Sequence, residues 1–206
     1  ATYALYKWAK KNSVHFIFLS GAIVYKYKKN CKENSDYISK KDTIFYGYAK
    51  KICDAFLKKR LQKKEPITIF RPTSMYGWGL KKSKIISKIL IEAKQKKKIK
   101  LYKPFIKINF IHANDVANAI YKCIKGKKYG CFNLSSPKMY SIKDLAVTSN
   151  KLYKNKNLIE IFDNDKKNDY RYRFEVNSNL ANKELGWKAK LDLKQGLKLT
   201  INKKYE

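Results

Sequence analysis

Two short apolar runs, Val14 to Leu19 and Ile67 to Phe70, constrain the fold of this chain more than any other feature. Each is nearly continuous in hydrophobic side chains, the pattern of a strand buried on both faces. Between them lies Tyr46 to Gln62, whose spacing and composition are helical. Strand, helix and strand in that order form the unit of parallel sheets, with a right-handed crossover. Ser20-Gly21-Ala22 ends the first run; Pro66 introduces the second and Arg71-Pro72 closes it. The expected class is therefore α/β with a parallel sheet. A strand buried on both faces needs neighbours, and too few segments precede Val14, so the sheet reads as incomplete.

The remaining segments fill in around that unit. Residues 2 to 11 have helical spacing, closed by Asn12-Ser13, and Ser83 to Gln95 is amphipathic, with Ile85, Ile86, Ile89, Leu90 and Ala93 on one side. Ile106 to His112 reads as a strand, with Asn114 as N-cap of a helix from Asp115 to Ile124. Cys131 to Leu134 is a short strand. Ser141, with Asp144 three residues on, marks the start of a helix running to about Tyr153. Lys154 to Lys167 is polar loop apart from Ile159-Glu160-Ile161. Asn179 to Leu185, the Gly186-Trp187 stop and a helix near Leu193 to Ile201 complete the chain.

Sites in open α/β sheets lie at the carboxyl ends of the strands. Ser20 and Arg71-Pro72 fall there, and Tyr46 opens the connecting helix facing the same edge. Tyr46 and Lys50 are one turn apart on one helix face. A free phenol, with a pKa of about 10, is a poor base at neutral pH, and an adjacent ammonium favours its phenolate. The spacing alone is weak support in a chain with 16 tyrosines and 48 lysines and arginines. His15 and His112 have no partner spacing that would make them ligands or bases, and no metal site is expected.

The net charge of +32 would suggest nucleic acid. Against that, the arginines are only Arg60, Arg71, Arg171 and Arg173, and base and phosphate readers lean on arginine's fork. The lysines come in scattered twos and threes, such as Lys58-Lys59 and Lys127-Lys128, and abundant Lys, Asn, Ile and Tyr is what AT-rich codons give. Nucleic acid is not the expected partner. Cys31, Cys53, Cys123 and Cys131 show no metal-type spacing and read as reduced thiols of a cytoplasmic protein. There is no signal peptide pattern, and no apolar run approaches the ~18 residues of a membrane span.

Six stretches in order carry a family resemblance. They are Phe16-Ile17-Phe18-Leu19-Ser20-Gly21-Ala22-Ile23-Val24-Tyr25, Tyr46-Gly47-Tyr48-Ala49-Lys50, Arg71-Pro72-Thr73-Ser74-Met75-Tyr76-Gly77, Asn109 to Ala117, Phe132-Asn133-Leu134 and Leu185-Gly186-Trp187. Together they resemble the extended short-chain dehydrogenase/reductase family, in its NAD-dependent nucleotide-sugar epimerase/dehydratase group, over nearly the whole chain. The resemblance implies a Rossmann-type doubly wound sheet without its first strand–helix units, plus a smaller α+β substrate-binding part. Residues 1–72, with 106–125 returning, would be the cofactor side and 73–206 mainly the substrate side.

It also implies roles. Tyr46 would be the catalytic base, Lys50 its electrostatic partner and a contact to the nicotinamide ribose, and Ser20 the holder of the reacting oxygen. Arg71 and Pro72 would stand at the cofactor, Ser74 and Lys107 at the substrate. The implied cofactor is NAD, with NADP left open; the partners are a nucleotide sugar and, in assembly, a homodimer. Three departures qualify this. No Gly-x-x-Gly-x-x-Gly turn for the cofactor pyrophosphate occurs. Ala1 would fall in the helix before the serine strand, so the expectation is a fragment that binds NAD weakly and is inactive alone. Gly21 holds the usual serine position, with Ser20 one residue earlier. Ile108 replaces a substrate-binding arginine, with Lys107 beside it, and Ser74 an asparagine. Because Ser20-Gly21-Ala22 lacks the carboxylates of sugar dehydratases, an epimerase or 4-keto-sugar reductase is expected. An inactive remnant or a basic binding module is the alternative.

Overall fold

The computed structural model describes residues 1–26, 29–162 and 175–202. Arg171, Arg173 and the end of the expected 154–167 loop lie outside them. Helix α1 (Thr2–Lys11) leads into β1 (Phe16–Leu19), and helix α2 (Phe45–Leu61) into β2 (Ile67–Pro72). The next elements are β3 (Ser74–Tyr76), α3 (Ile85–Lys94), β4 (Ile99–Leu101), β5 (Lys107–Ile108), β6 (Phe110–His112) and α4 (Ala113–Lys125). The last are β7 (Gly130–Leu134), β8 (Tyr140–Ser141), α5 (Ile142–Leu152), β9 (Ile159–Ile161), α6 (Asn179–Leu185) and α7 (Leu193–Asn202).

The main sheet has the order β1-β2-β7, parallel throughout, with Leu19 opposite Phe70 and Phe70 opposite Phe132. All six residues of β2 are buried, as its continuous apolar run demands. Those of β1 are only half-buried, because among the described residues β1 is an edge strand. Small two-stranded sheets pair β3 with β6, β4 with β9 and β5 with β8.

Two large apolar clusters divide the interior. One joins Phe70, Ile111, Val116, Phe132 and Trp187, so that α4 and α6 cover the main sheet. The other joins Tyr76, Ile86, Ile89, Leu145 and Leu197 from α3, α5 and α7.

Several local expectations change. The strand expected at Ile106 to His112 breaks at Asn109 into β5 and β6, which pair with different partners. Helix α4 is capped by His112, whose Nδ1 accepts from the Asn114 backbone N–H at 3.1 Å; Asn114 lies inside the helix. Ser141 and Asp144 form a full capping box. All four cysteines are free thiols. Burial pushes the Cys131 thiol up to about 12, leaving it inert. No helix among the described residues is long and apolar enough to cross a membrane.

Three helices put a lysine, not a glycine, in the left-handed position past their last turn. Lys96, Lys127 and Lys154 sit just past α3, α4 and α5 with φ of 57°, 47° and 50°. Each is followed by an N–H bonded back five residues, such as Lys128 to the Cys123 carbonyl at 3.0 Å. Glycine adopts this left-handed conformation freely, whereas a side chain costs about 1–2 kcal/mol. Lys127→Gly should therefore stabilise the chain by about 0.5–1 kcal/mol after glycine's entropy loss, read from the urea midpoint. An unchanged midpoint would show that the lysine's own contacts offset the strain.

Candidate active site

Where β1 and β2 end, a cavity of about 560 Å³ opens. Its lining includes Ser20 to Ile23, Tyr46 and Lys50, Pro72 to Met75, and Leu80, Lys84, Ile85 and Ile86. Ile108, Asn109 and Phe110 complete it. Ser20, Tyr46, Lys50, Pro72 and Ser74, distant in sequence, are thus brought to one place.

Helix α2 delivers the pair. Gly47 lies where the helix meets the short helical turn Ala22–Val24: a methyl there would collide with Thr43 Oγ1 and crowd Ile23 at 3.1 Å. Lys50 donates from Nζ to the Leu19 carbonyl at 2.7 Å and lies 5.0 Å from the Phe18 ring centre and 5.9 Å from that of Tyr46. The strand end thereby fixes the ammonium beside the tyrosine. That carbonyl takes one of three N–H donors. The Tyr46 side of the pair is open, the residue being 57% exposed.

Ser20 continues the β1–β2 ladder through its N–H to the Phe70 carbonyl at 2.8 Å. Its hydroxyl is buried and, among the described residues, is the sole buried side-chain N or O atom without a hydrogen-bond partner. Leaving such a group unpaired costs about 1–3 kcal/mol, so a buried orphan at a cavity wall is a natural place for a ligand oxygen.

Arg71 lies elsewhere. The side chain is fully buried and turned away from the cavity lining. Its Nε and Nη2 grip the two Asp54 oxygens at 2.9 and 2.5 Å. Nη1 donates to Tyr25 at 2.7 Å and to the Glu33 carbonyl at 2.9 Å, and Nη2 also to Tyr37 at 2.8 Å. Burial alone would favour a neutral Arg71, but its hydrogen bonds to the Asp54 carboxylate outweigh it and the pKa is raised. With its donors spent internally, Arg71 has none to offer a cofactor in this arrangement; Pro72 is the part of the pair that lines the cavity.

Lys107 lines a separate polar cavity of about 540 Å³ with Ser135, Ser136 and Asn177. The two cavities share Asn109, whose Oδ1 accepts from Thr73 at 2.7 Å and from the Ser136 N–H at 2.8 Å. Sequence reasoning passed over Lys84 and Asp54. Lys84 has no local signal in so lysine-rich a chain. Asp54 had one: it is an acid four residues beyond Lys50 on the same helix face, between Lys50 and Lys58.

Known proteins share the fold of this chain. The family model described as NAD dependent epimerase/dehydratase matches residues 1–135. The dTDP-D-glucose 4,6-dehydratase of Bos taurus is 26% identical over 196 residues, 90% of this chain and 54% of that protein. The chain thus spans about half the length of the curated relatives it matches. A dTDP-glucose 4,6-dehydratase from Bacillus anthracis, solved with NAD, superimposes with a TM-score of 0.81 at 19% identity, covering 97% of this chain and 64% of that one. A UDP-N-acetylglucosamine 4-epimerase from Bacillus cereus gives 0.81 at 19%, covering 97% and 68%.

Proposed function

The chain belongs to the NAD dependent epimerase/dehydratase family, and from that premise we propose that its cavity is the proton-transfer end of a nucleotide-sugar epimerase or 4-keto-sugar reductase site. The observation that carries this reading is the convergence of Tyr46, the anchored Lys50 and the orphan Ser20 hydroxyl on one cavity wall.

In this reading the exposed Tyr46, as phenolate, takes the proton of a sugar hydroxyl and, as the phenol so formed, returns it. Lys50, held by the Leu19 carbonyl, keeps a positive charge beside it and has N–H donors left for a ribose. Ser20 satisfies its hydroxyl on the reacting oxygen. NAD, when bound, supplies the two-electron redox chemistry. The residues present fit its nicotinamide end: Lys50 and Pro72 line the cavity, while no Gly-x-x-Gly-x-x-Gly turn occurs in the sequence for the pyrophosphate. Ser74 and Lys84 face the sugar side, and Lys107 meets a ligand that extends past Asn109 into the polar cavity. In this reading residues 1–72 with 106–125 are the cofactor side and 73–206 mainly the substrate side, except that β7 and α6 join the sheet and apolar cluster of the first.

A dehydratase is the second reading, favoured by the curated relatives. Water elimination needs an acid and a base at the sugar, and the cavity lining includes no Asp or Glu. Mass spectrometry decides between them. The complete protein, supplied with NAD and UDP-glucose, UDP-N-acetylglucosamine or dTDP-glucose, should give a product of unchanged mass at a new chromatographic retention time if it is an epimerase, or, with NADH and a 4-keto sugar nucleotide, a gain of two hydrogens if it is a reductase, whereas loss of one water would select the dehydratase.

The outer faces of α1 and α2 support a homodimer. Leu5, Trp8, Phe45 and Ile52 are exposed there, with Phe45 87% accessible. Trp8→Glu should shift the complete protein toward monomer in sedimentation equilibrium; an unchanged mass places the contact elsewhere.

A further inference from the structure

Helix α2 is tied down by a buried ion pair outside the cavity lining. Tyr46, Lys50 and Asp54 follow at four-residue steps along one face of α2, running from the open cavity to the fully buried interior. Asp54 meets Arg71 with neither side chain exposed, and Arg71 is followed directly by Pro72, which lines the cavity. The pair thus fixes how far α2 stands along β2, and with it the separation of Tyr46 from the wall made by Pro72 to Ser74.

The surroundings lock the pair in turn. Tyr37 donates to Asp54 at 2.7 Å. Tyr25 accepts from Arg71 and donates to Asn133 of β7 at 2.5 Å. Glu33 receives Arg71 and Lys58 on its carbonyl, and its carboxylate accepts from the Asn133 N–H at 2.9 Å. Helix α2, strands β2 and β7 and the segment after the Ser20 strand are joined through one buried network. A purely apolar contact would hold the same elements together while letting them slide. Directional bonds from a planar guanidinium fix their register.

We propose that Arg71 and Asp54 are positioning residues, setting Tyr46 and Lys50 against the substrate wall rather than only stabilising the fold. The proposal rests on the Tyr46–Lys50 reading above. Its test is the double variant Arg71→Met/Asp54→Leu of the complete protein, which removes both charges together and so leaves neither buried alone. If the pair positions the helix, turnover per folded molecule should fall about 10- to 100-fold with KM little changed, the scale of a small misplacement of catalytic groups. Tyr37→Phe, which takes one bond from Asp54, should give a smaller loss in the same direction. A crystal structure of the double variant reads the position itself: Lys50 Nζ moved away from the Leu19 carbonyl supports the proposal. Full turnover per folded molecule, or an unmoved Lys50, would overturn it. A protein whose Tyr46→Phe variant turns over normally fails on the earlier reading instead, and the crystal structure still decides the positioning.

Discussion

A Tyr46→Phe variant of the complete protein should lose turnover by about 100-fold or more, the contribution of a positioned acid–base group. The substitution removes one hydroxyl and leaves the ring. Tyr46 is more than half exposed and phenylalanine keeps its ring, so stability should stay within about 0.5 kcal/mol. Affinity for the nucleotide sugar should also hold, since the phenol acts on one hydroxyl of a large ligand. The diagnostic pattern is therefore a fall in kcat with KM nearly constant, the signature of an interaction made in the transition state. Near-normal turnover would end the assignment. A raised KM with unchanged kcat would recast Tyr46 as a binding contact.

Arg71→Met should destabilise the fold by about 3–5 kcal/mol, because it leaves the Asp54 carboxylate buried with no cation. That is a large part of the 5–15 kcal/mol that holds a typical domain together. Methionine keeps the length of the side chain but offers no donor. Asp54 would then retain the Tyr37 hydroxyl, a neutral donor, in place of the bidentate grip. Adding Asp54→Leu should recover most of the loss, since the cost comes from the unpaired charge and not from the missing bonds. Urea denaturation of the two variants measures both steps. A single-variant loss below about 1 kcal/mol would mean that water or another group reaches Asp54.

Much of this was legible because apolar runs and spacing report local structure directly. Ile67–Phe70 declared a doubly buried strand, and Ser141 with Asp144 a capping box, since each signal resides in neighbouring residues. The joining of Tyr46 with Ser20 followed from where strands end. What sequence could not convey was destination. Arg71 sits beside Pro72 in the chain, yet strand alternation sends the two side chains to opposite sides, one to Asp54 and one to the cavity. Asn109 looked like a mid-strand residue and instead breaks the strand, because its carboxamide bonds Thr73 and Ser136 across two elements. Helix ends at Lys96 and Lys154 carry no glycine to announce them, and at α4 the left-handed residue is Lys127, one past Gly126.

The half-buried edge strand β1 has a consequence for handling the molecule. Among the described residues its outer side, apart from the Leu19 carbonyl that Lys50 occupies, presents main-chain donors and acceptors beside apolar side chains, a surface on which another chain's strand can dock. Mutual repulsion between molecules carrying +32 opposes that docking. Such repulsion reaches only about 8 Å at physiological ionic strength and less as salt is added. Colloidal stability of these 206 residues is therefore an ionic-strength property, greatest in dilute buffer, and the lysines that contribute least to the chemistry are what keep the chains apart in solution.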